Sequence, residues 1–394
     1  MPSLLTILTD LAWPVAICLA WLAGEFGQRV TGLPRISFYG VVGFVLGAPQ
    51  IGVLPPSGAG PALLLADVAF GLILFELGYR INLRWLRTNP WFGAAALVES
   101  LATFIAIYFV AIWFDTSTMT ALMLAALGMS TSPATVIRVI NEQRSSGQVT
   151  ERVLHLSAIN CVLAVFTFNV IVGFWIFKSS ADIGDATVNS LVALLLSALL
   201  GAVFGVVVPG VLRQLGNFSK DATVGFALAV ILLVSVTYTI GLSSVVATLA
   251  FGLTARHRRV AFSQAQRNFG ALGELLTVML FVFAASTLDW RIMASGSTLT
   301  LALAVVLVRL LTKTVGVTLF SQLSGISWRK GALTGLALAP VSVFVILLLE
   351  HARLRGVDLS GELRAMAGVT LLLEVFGPIL VQRALIWAKE SQGN

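Results

Sequence analysis

Two basic residues, Arg309 and Lys313, stand four positions apart inside an apolar stretch that runs from Leu299 to Leu323. A charge near the centre of a bilayer costs about 3 kcal/mol even on lenient insertion scales, so such residues usually face a partner or a water-filled path. Four residues make about one helical turn, so we expect both side chains on one face of a helix. This pair indicates a protein that moves or binds ions.

The composition of the chain indicates a membrane protein. Its 394 residues are 58% hydrophobic and only 11% charged, and the mean hydropathy is +0.95. A soluble domain averages about 25% charged residues. Apolar stretches of about 20 residues recur along the chain, and each is long enough to cross a bilayer as a helix. We therefore predict an all-α polytopic protein of an inner or plasma membrane, with the lipid bilayer as its main partner.

The hydropathy pattern and its interruptions define the predicted elements. We predict thirteen helices, at about residues 11–30, 36–54, 62–79, 91–114, 118–140, 152–177, 188–212, 222–240, 242–256, 268–287, 297–322, 331–350 and 365–388. Most Lys and Arg residues lie in the connectors that follow the odd-numbered helices or at the C-terminus. Those on the opposite side are Lys178, Arg291, Arg353, Arg355 and Arg364. Because cytoplasmic loops collect Lys and Arg, we predict an outside N-terminus and an inside C-terminus.

Other kinds of chemistry are not indicated by the sequence. The cysteines Cys18 and Cys161 lie in apolar runs, and no Cys/His spacing suggests a metal site. His155, His257 and His351 lie near predicted helix ends or in loops, where we expect them to be solvated. There is no P-loop and no catalytic triad pattern. We expect no enzyme activity, cofactor or bound metal. The net charge of +7 reflects topology, so nucleic acid is not an expected partner.

Two of the predicted helices are interrupted by proline. The fifth contains Ser130-Thr131-Ser132-Pro133, and the twelfth contains Pro340. Proline removes an intrahelical hydrogen bond and clashes with the preceding turn. Broken helices in corresponding positions of two halves indicate a transporter with inverted repeats and a site near the midplane. The hydroxyl groups at the first break are suited to replace the hydration shell of an ion. The alternative is a pair of ordinary proline kinks.

Six segments, taken in order, resemble the cation:proton antiporter superfamily, including its sodium/proton exchanger and potassium-efflux branches. They are residues 31–47 with Gly-Leu-Pro, 74–84 with Phe-Glu-Leu-Gly, the broken helix at 130–142, 241–253 beginning Gly-Leu-Ser-Ser, 281–290, and Gly-Pro at 377–378. The resemblance covers about residues 13–387. It implies a homodimeric secondary transporter with thirteen helices that exchanges a monovalent cation for a proton by an elevator motion.

The resemblance also implies how the single transmembrane domain, residues 1–394, is divided. A core bundle would span about residues 91–177 and 297–388, and its two broken helices would cross at the ion site. A dimerisation or scaffold bundle would span about residues 11–79 and 188–287. The core bundle would carry the ion by moving along the scaffold bundle.

One residue departs from the family pattern at the expected ion site. The family places its ion-binding Asp in a Ser-x-x-Asn-Asp pattern, and here Ser157 and Asn160 match but Cys161 replaces the Asp. A buried thiol stays neutral and is a poor ligand for an alkali cation, which prefers oxygen. We predict that these three residues, with Thr131 and Ser132, form the ion- or substrate-binding site.

Glu76 matches an acidic position that contributes to the ion site in some branches of the family, so we include it among the predicted binding residues. It also lies at the end of a predicted helix, close in sequence to Arg80 and Arg84. The alternative interpretation is therefore a carboxylate that pairs with one of these arginines and has no part in transport.

Two further carboxylates are placed to balance the basic pair. Glu99 lies about eight residues into the fourth helix, and Glu374 lies in the middle of the thirteenth. We predict that Arg309, Lys313, Glu374 and Glu99 together form a charge-compensated core, because a buried charge without a counter-charge is costly.

The sequence supports three functional hypotheses. The first is a cation/proton antiporter in which another titrating group replaces the missing Asp. The second is a transport-inactive homologue that acts as a sensor or membrane anchor, or an ordinary antiporter in which Cys161 is an engineered substitution. The third is a carrier of anions or organic solutes that uses Arg309 and Lys313 near the N-termini of half-helices.

Overall fold

The computed structural model of the chain describes residues 4–55, 61–176, 183–214, 218–257, 269–289, 291, 296–354 and 363–392. These ranges contain helices and connecting turns, with no strand among them. The sixteen helices within these ranges are α1 Leu4–Thr31, α2 Arg35–Leu46, α3 Pro61–Arg80, α4 Leu83–Thr88, α5 Pro90–Trp113, α6 Thr118–Gly128, α7 Pro133–Glu142, α8 Gln148–Ile176, α9 Ile183–Gln214, α10 Phe218–Ile240, α11 Ser244–His257, α12 Gly270–Ser286, α13 Gly296–Leu319, α14 Trp328–Ala337, α15 Phe344–Leu354 and α16 Arg364–Trp387.

Every predicted range contains helix, and the all-α class is confirmed. Eight spans within the described ranges, with α6 and α7 counted as one, are long and apolar enough to cross a membrane. The range 36–54 was predicted too long, because α2 ends at Leu46 and turns follow. Pro49 accounts for this end, since proline cannot continue the hydrogen-bond pattern and restricts the residue before it. The first helix starts earlier than predicted, at Leu4.

The helices can be sorted by their contacts into two groups, which also touch each other. One group, here called the core bundle, consists of α5–α8, α13, α14 and α16, while α15 follows α14 in the chain and packs against α3 of the other group. The other, here called the scaffold bundle, consists of α1–α3 and α9–α12. Within the scaffold bundle, α3 and α11 approach so closely that a Cβ atom on Gly78 or Gly252 would collide with the backbone of the facing helix. Small residues allow such close helix contacts in membranes.

Each of the two proline interruptions breaks its helix, and the two broken segments contact each other. The first separates α6, which ends at Gly128, from α7, and the second separates α14 from α15. The backbone N–H of Ser132 donates to the carbonyl of Pro340 at 3.0 Å. The Thr131 hydroxyl lies 3.4 Å from the carbonyl of Leu338. We call the place where residues 128–133 and 338–343 meet the crossing.

The segment after α16 links the ends of three helices. The Glu390 carboxylate accepts hydrogen bonds from the backbone N–H groups of Val149 and Thr150, each at 2.9 Å, and it lies 3.5 Å from Lys330 Nζ. These N–H groups belong to the first turn of α8, where free donors and the helix dipole favour a carboxylate. Glu390 therefore caps α8 and links it to α14 and α16.

Candidate functional site

Arg309 projects from α13 into the crossing and is fully buried. Its guanidinium donates only to backbone carbonyls. These belong to Gly128 at 2.8 Å and Ser130 at 2.5 Å on one break, and to Leu338 and Pro340, each at 3.1 Å, and Ala339 on the other. The last carbonyls of a helix lack intrahelical partners and carry the negative end of its dipole. Arg309 thus satisfies the C-terminal ends of α6 and α14 together, and it uses no carboxylate.

Lys313, one turn further along α13, has a different partner. Its Nζ lies 2.8 Å from Glu99 Oε1 on α5, and both side chains have zero exposure. The two helices can come this close because Gly316 faces Glu99, where an added Cβ would lie 3.0 Å from Glu99 Cα. The structure therefore places one complete ion pair in the interior of the core bundle.

A polar network joins this ion pair to the crossing. Asn160 Nδ2, on α8, donates to Glu99 Oε1 at 2.9 Å and to Thr131 Oγ1 at 3.1 Å. Ser100 Oγ lies 3.0 Å from Glu99 Oε2 and 2.9 Å from Asn160 Oδ1. The carboxylate of Glu99 thus accepts hydrogen bonds from an amide nitrogen, a hydroxyl group and the Lys313 ammonium. Ser100 was missed by the sequence reasoning, although its position beside a buried glutamate was a usable signal.

Cys161 lies on the other side of the crossing and is also fully buried. Its thiol donates to the carbonyl of Thr131 at 3.1 Å and lies 3.7 Å from Ser342 Oγ. Position 161 therefore faces both breaks, where a carboxylate would meet hydroxyl groups and carbonyls. The thiol supplies neither charge nor oxygen there, so the carboxylate nearest to the crossing network is that of Glu99.

Ser132 and Ser157 use their hydroxyl groups on local backbone. Ser132 Oγ accepts from the backbone N–H of Thr135 at 3.2 Å and caps α7. Ser157 Oγ donates to the carbonyl of Leu154 on its own helix at 2.9 Å. Ser132 belongs to the crossing and Ser157 lies on α8, and both are buried, but neither hydroxyl takes part in the network around Glu99.

The structure does not bring Glu76 or Glu374 into the site. Glu76 pairs with Arg80 at 2.7 Å and accepts from Asn141 Nδ2 at 3.1 Å, which is the helix-end alternative considered above. Glu374 was expected to balance the basic pair, but among the described contacts it pairs with neither Arg309 nor Lys313. The reason is that backbone carbonyls satisfy Arg309 and Glu99 satisfies the neighbouring lysine, while Glu374 points toward α2 at Gly40.

Two cavities approach the site along α8 from opposite ends. Leu154 lines one cavity of about 600 Å³, together with Arg80 and Arg256. Val165 lines another of about 350 Å³, together with Phe344 and other residues of both bundles. Asn160 and Cys161 lie between these points on the helix. Neither of these two cavities is lined by Glu99 or Lys313, and both side chains are fully buried.

Comparisons with known proteins agree with this architecture. Residues 15–387 match the family described as sodium/hydrogen exchanger, transmembrane. A structure of the sodium proton antiporter MjNhaP1 from Methanocaldococcus jannaschii at pH 8 is similar, with 16% identity, coverage of 97% of both chains and a TM-score of 0.67. A second structure of MjNhaP1, from electron microscopy, gives 18% identity, coverage of 98% and 97%, and a TM-score of 0.69.

No curated protein matches the chain. At identities below 20% the two structures show that the fold is shared. The match to the family extends over nearly the whole chain, which confirms the resemblance inferred from the sequence segments. The protein is therefore a multi-pass membrane protein from a family of transporters rather than enzymes, and it belongs to the sodium/hydrogen exchanger family.

Proposed function

We propose that the protein is a secondary antiporter that exchanges a monovalent cation, sodium or potassium, for a proton. In this proposal Glu99, instead of residue 161, supplies the carboxylate that binds the cation. The observation that carries the proposal is the buried Glu99–Lys313 pair, which is joined to the crossing through Asn160 and Thr131. The chain thus has a buried lysine and a buried carboxylate next to the crossing, where it lacks the Asp of the family pattern.

The exchange follows from charge balance at this pair. In one state the Lys313 ammonium, which holds the proton, neutralises Glu99 at 2.8 Å. In the other state an alkali cation takes the place of the ammonium, and the lysine gives up its proton to water. Lysine can lose its proton when it is buried, whereas arginine stays charged. The two states carry the same net charge, so the proposed exchange of one cation for one proton is electroneutral.

The surroundings of the pair suit an alternating-access cycle. One cavity is lined by Leu154 and another by Val165, on either side of Asn160 and Cys161 along α8, and the ion pair is fully buried. We propose that the core bundle moves along the scaffold bundle as an elevator and opens the site to each cavity in turn. The proposal includes thirteen membrane-spanning segments in inverted repeats, an outside N-terminus, an inside C-terminus and a homodimer formed through the scaffold bundle.

A transport-inactive homologue is the second candidate, and one observation favours it. Cys161 holds the position of the family carboxylate, and its thiol contacts only a backbone carbonyl and a hydroxyl group. An anion carrier has no such support. The Arg309 guanidinium donates its hydrogen bonds to backbone carbonyls, and Lys313 pairs with Glu99. Neither cation is therefore placed to bind an anion.

Reconstitution into proteoliposomes tests the first proposal. A sodium or potassium gradient should drive proton movement that is read by a pH-sensitive dye, and clamping the membrane potential at zero should leave the rate unchanged. Glu99→Gln should abolish the signal. Glu274→Gln is the matched control, because that glutamate has 47% side-chain exposure and lies outside the site. Absence of proton movement with either cation from about pH 6 to about pH 9 would favour the inactive homologue.

A further inference from the structure

Glu374 is a buried carboxylate that the proposed exchange does not use. It lies in the middle of α16 and is 4% exposed. Its Oε1 atom has no hydrogen-bond partner among the described residues. A Cβ atom on Gly40 of α2 would lie 3.1 Å from Glu374 Cγ, and Ser37 Oγ of α2 donates to the carbonyl of Val375 at 3.1 Å. Glu374 therefore lies in the contact between α16 and α2.

Nothing in the described surroundings balances a negative charge on this side chain. The helices packed against α16 are α2, α6, α7, α13 and α14, and α6 contains no charged residue. The other four helices carry charged side chains, and each of these with a described partner contacts a group other than Glu374. The contacts are Arg35 with Glu25 and Glu274, Arg138 with the Gly273 carbonyl, Glu142 with Gln28, Arg309 with the crossing, Lys313 with Glu99, Arg329 with the Trp387 carbonyl, and Lys330 with Glu390. The phenol of Tyr39 on α2, the remaining titratable group, carries no positive charge.

An unpaired carboxylate at this depth is much less costly when it is neutral. Burying an ionised carboxylate without a partner carries a large penalty, and such a group normally takes up a proton instead. The closed contact between α16 and α2 therefore favours the neutral form of Glu374. A structural apolar residue would fill the same space without this requirement, so the carboxyl group makes the contact sensitive to protons.

The contact between α16 and α2 joins the two bundles, and this position determines what a proton on Glu374 can affect. The α16 helix belongs to the core bundle and α2 to the scaffold bundle, so Glu374 lies on the boundary between the two groups. We propose that Glu374 is a second proton-binding group, which holds its proton while this boundary is closed and releases it to water when the boundary opens. The proposal rests on the antiport function above, because it makes movement of the core bundle along α2 depend on protons.

The direction of the effect can be derived from charge alone. As the pH rises, Glu374 loses its proton more easily, and the resulting charge is unfavourable in the closed boundary. Alkaline pH should therefore favour opening. Glu374→Gln preserves shape and hydrogen-bonding capacity but cannot become charged, so its boundary should stay closed at every pH. Glu374→Met is a second neutral variant with the same expectation.

Thermal unfolding in detergent tests whether the proton is bound. The midpoint of Glu374→Gln should exceed that of the wild type by at least about 2 °C near pH 8.5, and the difference should be smaller near pH 5.5. Glu76→Gln is the matched comparison, because Glu76 is equally buried but pairs with Arg80, and its loss should lower the midpoint at both pH values. A Glu374→Gln midpoint no higher than that of the wild type near pH 8.5, with Glu374→Met in agreement, overturns the proposal.

Transport tests whether the proton matters for movement. The ratio of wild-type rate to Glu374→Gln rate should be near one at about pH 6 and should rise to at least about fivefold at about pH 8.5. A ratio independent of pH overturns the proposal even when the variant is more stable, because a purely structural carboxyl group would act that way.

A wild-type protein that moves no cation would refute the antiport function separately. Hydrogen exchange of α2, compared between wild type and Glu374→Gln at each pH, then decides on Glu374. Faster exchange in the wild type only at alkaline pH supports the proton-dependent boundary, and identical exchange at all pH values overturns it.

Discussion

Replacing Glu99 by glutamine removes one charge from the buried ion pair and leaves the other in place. For unit charges 2.8 Å apart, Coulomb's law with an effective dielectric constant of about 20 gives an attraction of about 6 kcal/mol. Removing one partner of a buried pair typically costs about 3–5 kcal/mol, because the remaining charge is left uncompensated. Lys313 can relieve part of this cost by losing its proton, so we expect a loss near the lower end of that range.

A double-mutant cycle separates the pair from its surroundings. The single variants are Glu99→Gln and Lys313→Met, and the free energy of unfolding is measured by titration with a denaturing detergent. The double variant contains no buried charge at this site, and replacing a buried pair by neutral groups of similar volume is often neutral or stabilising. We therefore expect the double variant to be more stable than Glu99→Gln alone, with a coupling energy of at least about 2 kcal/mol.

The refuting result is additivity. If the destabilisations of the two single variants add to that of the double variant within about 0.5 kcal/mol, the two side chains do not interact. The charge balance that underlies the proposed exchange would then be wrong. A matched cycle on the exposed pair of Arg29 and Glu25, whose arginine has 72% side-chain exposure, should give at most about 1 kcal/mol.

Three further predictions follow from the crossing and the α8 cap. Cys161→Asp adds a second carboxylate beside Thr131 and Ser342, so each cycle should carry one more positive charge and transport should respond to an imposed membrane potential; indifference to the potential would contradict this. Arg309→Lys keeps the charge but loses the planar set of donors, and the free energy of unfolding should fall by about 3 kcal/mol in a denaturing-detergent titration. Glu390→Gln weakens the cap on α8, so the same titration should show a loss of about 1 kcal/mol while cation preference in proteoliposomes stays unchanged.

The helices were predictable because their causes are local. Apolar runs long enough to span a bilayer predicted every helical range except the short α4, and Pro133 and Pro340 predicted the two breaks. The error in length at α2 was also local, because the Pro49 region ends that helix early. Backbone chemistry within a few residues decides these features, so no knowledge of tertiary contacts was needed.

The different partners of Arg309 and Lys313 were not predictable in the same way. The two residues share one helical face, and from the sequence we predicted that both pair with carboxylates. Their partners depend on where distant segments meet: Arg309 meets carbonyls freed by two breaks, and Lys313 meets Glu99 on α5. Any residue type can supply a free backbone carbonyl. The sequence therefore cannot show that carbonyl dipoles compensate the charge of Arg309 in place of a carboxylate. For the same reason, only the structure shows that Glu374 Oε1 has no hydrogen-bond partner among the described residues.

The carbonyl cage around Arg309 has a consequence for how the chain could tolerate cysteine at position 161. A guanidinium that depended on a carboxylate would become an uncompensated charge as soon as that carboxylate disappeared. Here the positive charge is balanced by main-chain atoms, which mutation of side chains does not remove. The described hydrogen bonds of Arg309 therefore do not depend on which side chain stands at position 161. An acid or a thiol there would leave this set of bonds in place, so the ion chemistry of that position can differ while the carbonyl cage stays intact.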